Sequence, residues 1–149
     1  MNIANFLSPD EVMIDVAAAD KQKLLSALAR KAGAIVDVRP ERILAELEKR
    51  EELGSTGVGG GVALPHARFD QVGKPVGVFV RLRKPIAFDA VDGQPVDIVF
   101  LLLLPQTPED GDTLGALASI ARKLRKPEIA TALRGARNGA EIYQALAAE

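Results

Sequence analysis

The chain of 149 residues contains no cysteine and no tryptophan. The first absence excludes disulfides, thiolate metal sites and a cysteine nucleophile. Aromatic residues are sparse, five Phe and one Tyr, which leaves little from which to build a base-stacking platform. Neither sign of charge dominates: 19 Lys and Arg stand against 20 Asp and Glu, so the net charge is −1. That balance argues against a broad nucleic-acid surface, and no nucleic acid is expected as a partner. The longest apolar run, Ile98 to Leu104, is far too short to span a bilayer. The opening MNIANFLSPDE has no basic segment leading into an apolar one, so no signal peptide is expected and the expected compartment is the cytoplasm. A single histidine, His66, makes a histidine-based metal site improbable, since no Asp/Glu cluster lies beside it.

What remains is an ordinary globular composition, 48 % hydrophobic, with a length that suits one domain over residues 1–149. Val12 to Ala17, bounded by Ser8-Pro9-Asp10, reads as a strand. Asp20 is placed to cap a helix with Leu24, Leu25, Leu28 and Ala32 inward and Gly33 at its end. Pro40 suits the first turn of a second helix, whose inner face is Ile43, Leu44 and Leu47 and which Gly54 stops. Val76 to Leu82 alternates as a strand does, and Ile86 to Ala90 reads as a short extended segment. The run from Val96 to Leu104 suits a strand covered on both faces. Thr113 is a candidate cap for a third long helix, broken at Pro127. A further helical turn or two covers Glu128 to Arg134, and Asn138 with Glu141 marks the start of a last helix. Strands and helices mix along the whole chain. The expected fold class is therefore α/β, a single domain with a mixed β-sheet flanked by helices on both faces.

The stretch from Arg50 to Arg68, REELGSTGVGGGVALPHAR, concentrates the chemistry. It holds His66 and five of the thirteen glycines: Gly54, Gly57, Gly59, Gly60 and Gly61. Pro65 pushes Leu64 towards an extended conformation, so Val62 to Leu64 should be a short strand delivering His66 to its end. Arg50 falls on the inward stripe of the second helix, where an arginine needs a partner or must reach the rim. A phosphate loop is a poor fit, because no lysine follows the glycines and the loop runs from helix to strand. A Ser55-centred hydrolase lacks the nucleophile elbow. A neutral imidazole is a good nucleophile near neutral pH and is able to carry a phosphoryl group. Backbone N–H groups of Gly57 to Gly61, the hydroxyls of Ser55 and Thr56, and the Arg50 cation would supply phosphate ligands. The same residues also fit an ordinary histidine beside a flexible loop, and residue chemistry alone leaves both readings open.

The pattern R-E-x-L-G-S-T-G-V-G-G-G-V-A-L-P-H over residues 50–66 closely resembles the signature of the fructose/mannitol-type enzyme IIA domains of the bacterial phosphotransferase system. Downstream, Val76-Gly77-Val78-Phe79-Val80, Pro85-Ile86-Ala87-Phe88-Asp89-Ala90 and Gln94-Pro95-Val96-Asp97 resemble the nitrogen-regulatory branch of that family. The resemblance implies a phosphoryl carrier rather than a stand-alone multi-turnover enzyme, with no cofactor and no metal. His66 would accept phosphate from a small histidine phosphocarrier protein. Arg50, Ser55 and Thr56, with Gly57 and Gly59, would form the phosphate site. The implied output is regulation of partners such as potassium transporters or sensor kinases, with peripheral contact to membrane proteins. Two alternatives are a sugar-uptake IIA serving a separate IIB, and a partner-binding module that is not phosphorylated. Two departures from the family pattern stand out. No second histidine occupies Asp112-Thr113-Leu114-Gly115, where Thr113 is the remaining hydroxyl. The loop reads Gly59-Gly60-Gly61 where the nitrogen branch usually has an asparagine between glycines.

Overall fold

The computed structural model describes residues 2–106 and 112–148, and for residues 112–114 the backbone alone. Six strands and five α-helices are described, with two 3-10 turns at Ile3–Asn5 and Pro9–Glu11 before the first strand. The order is β1 (Val12–Val16), α1 (Lys21–Ile35), α2 (Pro40–Glu52), β2 (Gly57–Gly59), β3 (Val62–Ala63), β4 (His66–Phe69), β5 (Val76–Ile86), β6 (Val96–Pro105), α3 (Asp112–Arg125), α4 (Pro127–Gly135) and α5 (Gly139–Ala147).

The strands form one mixed sheet in the order β1-β5-β6-β3-β2, with β4 also on β6. The β5–β6 pair is antiparallel, whereas β1 runs parallel to β5, and β3 and β4 run parallel to β6. The apolar run is the central strand, and its residues divide between two cores. Val99, Leu101 and Leu103 pack with Leu28, Ile43 and Leu47 of α1 and α2. Ile98, Phe100 and Leu102 pack with Ile120, Leu133 and Ile142 of α3, α4 and α5. Helices therefore cover both faces, and β6 needs no polar face. Each fully buried Leu, Ile or Phe here contributes roughly 1.5–3 kcal/mol relative to exposure.

Helix starts follow the capping residues. Asp20 accepts from the Lys23 amide at 2.8 Å, Pro40 opens α2, and Asn138 accepts from the Glu141 amide at 2.9 Å. The cap expected of Thr113 falls on a side chain outside the described residues. Two boundaries differ from expectation. Gly33 does not end α1, which continues to Ile35; a Cβ at residue 33 would meet Pro40 Cγ at 2.9 Å, so glycine there lets α1 pass close to the start of α2. Strand β5 runs on through Pro85 to Ile86 instead of yielding to a separate segment, and its register slips between Arg81 and Ile86. An irregularity of that kind is how a strand accommodates proline.

The edge beyond β6 positions the histidine. Val62 faces Ile98 and His66 faces Leu102, the same offset on either side of Leu64-Pro65. Segments β3 and β4 are thus one strand line interrupted, without loss of register, by a residue that has no N–H to give. The Pro65 carbonyl still accepts from Leu102 N at 3.0 Å. His66 begins β4 rather than ending the strand before it.

Candidate functional site

His66 lies at the sheet edge, half-buried, and shares a strand face with Arg68 two residues on. Even-numbered Val62 and Leu64 belong to the core on the α3 side, while Ala63, Ala67 and Phe69 belong to the other. His66 and Arg68 accordingly face α3. An open hollow of about 500 Å³ lies here, lined in part by Lys49, Arg50, Leu53, Arg68, Leu104 and Leu117. The last turn of α2 brings Lys49 and Arg50 to its rim. Arg50 is held by a hydrogen bond from Nη1 to the Gly54 carbonyl at 2.9 Å, which answers the question its inward position posed. Leu53 is 86 % exposed beside it.

The imidazole has a defined orientation. Its Nδ1 lies 2.9 Å from the Leu64 carbonyl oxygen. A carbonyl only accepts, so Nδ1 carries the proton and the lone pair of the neutral ring is on Nε2. Burial pushes the His66 pKa below the ordinary histidine value, and the nearby positive charges of Arg50 and Arg68 push the same way. The hydrogen bond to Leu64 and the negative charge of Glu51 oppose them without reversing the direction. The result at neutral pH is an unprotonated imidazole among cations, a nucleophile in surroundings that favour an anion. Among the described residues, no group of three His, Asp or Glu side chains gathers to hold a metal ion.

In the loop between α2 and β3, the residues expected to bind phosphate have partners within the protein. Thr56 is buried; its amide donates to Glu51 Oε1 at 3.0 Å and its hydroxyl to Glu51 Oε2. Glu51 also pairs with Lys21 at 2.9 Å. The Ser55 hydroxyl donates to the Phe88 carbonyl at 2.7 Å and accepts from Gly57 N at 3.0 Å. Gly57 packs on Ala90, whose Cα and Cβ leave no room for a Cβ at residue 57. Gly59, Gly60 and Gly61 all take positive φ, and form the tip of the β2–β3 hairpin. Asp92 accepts from Gly60 N at 3.0 Å, and Arg134 donates to the Gly60 carbonyl at 2.7 Å while gripping Asp97. The tip lines a second cleft, of about 630 Å³, against α3 and α4. The structure thus brings His66 and Arg50 together, fastens Ser55 and Thr56 behind them, and directs Gly57 and Gly59 into the hairpin.

Sequence reasoning assigned nothing to Lys49, Arg68 or Glu51. Arg68 was legible in principle, since a residue two along a strand from His66 shares its face; hiding β4 behind Leu64-Pro65 hid that relation. Glu51 follows Arg50 directly, but its partners Lys21 and Thr56 come together only in the tertiary fold.

The fold is thus a mixed α/β sheet flanked by helices on both faces, with one oriented imidazole in a hollow beside Arg50 and Arg68. Residues 5–149 match the family described as "Phosphoenolpyruvate-dependent sugar phosphotransferase system, EIIA 2", and the chain belongs to that family, in its nitrogen-regulatory branch. It is 42 % identical over 147 residues to the "Nitrogen regulatory protein" of Bradyrhizobium diazoefficiens, covering 99 % of this chain and 95 % of that one. The crystal structure of nitrogen regulatory protein IIA-Ntr from Neisseria meningitidis superposes with a TM-score of 0.91 at 32 % identity, covering 97 % of this chain and 98 % of that one. The "PTS system fructose-specific EIIA component" of Haloferax volcanii is 34 % identical over 120 residues, covering 80 % of this chain and 76 % of the relative. No helix among the described residues is long and apolar enough to cross a membrane.

Proposed function

We propose that the chain is a cytoplasmic phosphoryl carrier in which His66 Nε2 takes a phosphoryl group from the phosphohistidine of a small phosphocarrier protein. The observation that carries this reading is the Nδ1 contact to Leu64, which leaves the Nε2 lone pair for the hollow. In the transfer, Nε2 attacks phosphorus as the P–N bond to the donor imidazole breaks, and the bonding pair returns to the donor ring. Nδ1 keeps its proton, and the Leu64 carbonyl stabilises the positive character the ring acquires. Arg50 and Arg68 offset the charge of the phosphoryl oxygens, a role for which guanidinium is well suited. In this reading Ser55, Thr56, Gly57 and Gly59 act by fixing the loop behind the imidazole, and a direct hydrogen bond from any of them to phosphate requires the loop to reorganise.

The output follows from charge. Phosphate adds roughly −1.5 to −2 charges, by analogy with other phosphorylated side chains, beside the exposed apolar Leu53. A partner docking there with an acidic or apolar patch is repelled, and one offering arginine is recruited. The nitrogen-regulatory relatives favour regulatory partners, and potassium transporters and sensor kinases are the classes proposed. The fructose-specific relative favours a second reading, in which a separate IIB protein takes the phosphate.

The test is incubation with phosphoenolpyruvate, enzyme I and the phosphocarrier protein, read by intact mass. One acid-labile phosphate on wild type, absent from His66→Ala, is expected; an unmodified wild type contradicts the reading. Onward transfer to an added IIB separates the two outputs.

A further inference from the structure

Glu51 is a buried carboxylate with every partner accounted for, yet the transfer chemistry gives it no task. Its side chain is only 7 % exposed, where an ionised carboxylate persists only when paired and hydrogen-bonded. It receives three donors: Lys21 Nζ, the Thr56 amide and the Thr56 hydroxyl. From Thr56 the contacts continue. The Thr56 carbonyl accepts from Leu64 N at 2.9 Å, and the Leu64 carbonyl in turn meets His66 Nδ1 at 2.9 Å. An unbroken line of polar contacts therefore runs from α1 through α2 and the loop to the imidazole. Lys21 braces the far end. It also reaches the Phe88 carbonyl at 3.4 Å and lies over the Phe88 ring at 4.5 Å from its centroid.

We propose that Glu51 is a positioning residue for His66: by clamping Thr56 it fixes Leu64, and so holds the carbonyl that selects the imidazole tautomer with its lone pair on Nε2. The inference deepens the carrier reading, because the tautomer decides which nitrogen is free to attack. The residues that carry it are not redundant. Leu64 precedes a proline and pairs with no strand partner of its own on β6, so the Thr56 carbonyl is what holds its amide. Without the clamp, Thr56 keeps that backbone bond but loses both contacts to Glu51, and its hold on the Leu64 peptide is loosened. Free histidine favours the opposite tautomer, with the proton on Nε2. Releasing the clamp therefore moves the ring towards the unproductive form.

Because His66 is the sole histidine, 15N-histidine labelling reports this ring alone. Long-range 1H–15N spectra, recorded above the imidazole titration, read the tautomer directly. Wild type should show Nδ1 protonated and Nε2 bare. Glu51→Ala should shift both nitrogens towards the averaged or inverted pattern and slow phosphoryl acceptance by about tenfold or more. Glu51→Gln keeps an oxygen for the Thr56 amide and should restore most of the wild-type pattern. Glu52→Ala, at the exposed neighbouring position, should leave it unchanged. If Glu51→Ala folds and retains the wild-type tautomer, the proposal is overturned. If Glu51→Ala does not fold, Thr56→Val removes the hydroxyl arm alone; a partial shift supports the proposal and an unchanged spectrum overturns it. The spectra need no phosphate donor. A wild type with the expected tautomer that accepts no phosphate therefore defeats the carrier reading and leaves the positioning role intact.

Discussion

The glycine hairpin and the histidine strand are neighbours in sequence, and the fold separates their work. Gly59 to Gly61 turn a hairpin whose polar groups are tied to Asp92 and Arg134. His66 and Arg68, only a few residues later, face a hollow rimmed by the end of α2. The glycines give shape at one end, while Arg50 and Arg68 line the hollow beside the imidazole at the other. The lesson is that a glycine-rich run beside a reactive residue need not be its cradle. Positive φ answers the geometry of a tight turn equally well.

This division is open to attack from either side, and the strongest attack is on Arg50. Arg50→Ala should slow phosphoryl acceptance by about ten- to a hundred-fold, the range expected for losing one stabilising donor or cation, with the histidine tautomer unchanged; transfer at the wild-type rate would remove Arg50 from the site. Gly57→Ala attacks the hairpin side. The added methyl would lie 2.8 Å from Ala90 Cβ and 2.9 Å from Ala90 Cα, and backbone cannot give way as a flexible side chain can. A loss of about 1–3 kcal/mol in denaturant unfolding is expected, with transfer by the folded protein reduced less than in Arg50→Ala. Slowed transfer at full stability would show that the glycine belongs to the site after all.

The pH dependence probes the imidazole itself. The folded pKa of His66 lies below the unfolded value, so neutral His66 binds fewer protons in the native state than in the unfolded chain. Its contribution to stability is complete above about pH 6.5 and is lost as pH falls towards the folded value. Wild type should therefore lose more stability than His66→Gln between pH 7.5 and 5; parallel profiles would show that the ring is not perturbed. The smallest effect belongs to Arg134→Ala. Its pair with Asp97 is partly exposed, and removing it should cost about 1 kcal/mol or less, with no change in the His66 spectrum. A shifted His66 spectrum would couple the hairpin to the site.

Much of this was legible before the fold. The apolar run became β6 because burial on both faces leaves no polar alternation to hide the signal. Asp20, Pro40 and Asn138 open helices because capping is local chemistry. His66 and Arg50 were readable as candidates from their place in one motif. The rest depended on contacts made at long range. Gly33 looked like a helix end because nothing local reveals that Pro40 packs against it. The proline at residue 65 looked like the end of a strand, although β4 continues its register. The destination of the glycines was set by Asp92, Asp97 and Arg134, far away in sequence. The hydroxyls of Ser55 and Thr56 looked available because Phe88 and Glu51 could not be placed against them.

The central claim is that the Leu64 carbonyl leaves His66 Nε2, and not Nδ1, as the attacking atom. The direct measurement is 15N and 31P NMR of the 15N-histidine-labelled protein after phosphorylation by its phosphocarrier. A phosphorus–nitrogen coupling at Nε2, with Nδ1 still protonated, is the predicted result. A phosphate on Nδ1 would contradict the account, because that nitrogen is the one the fold has already engaged.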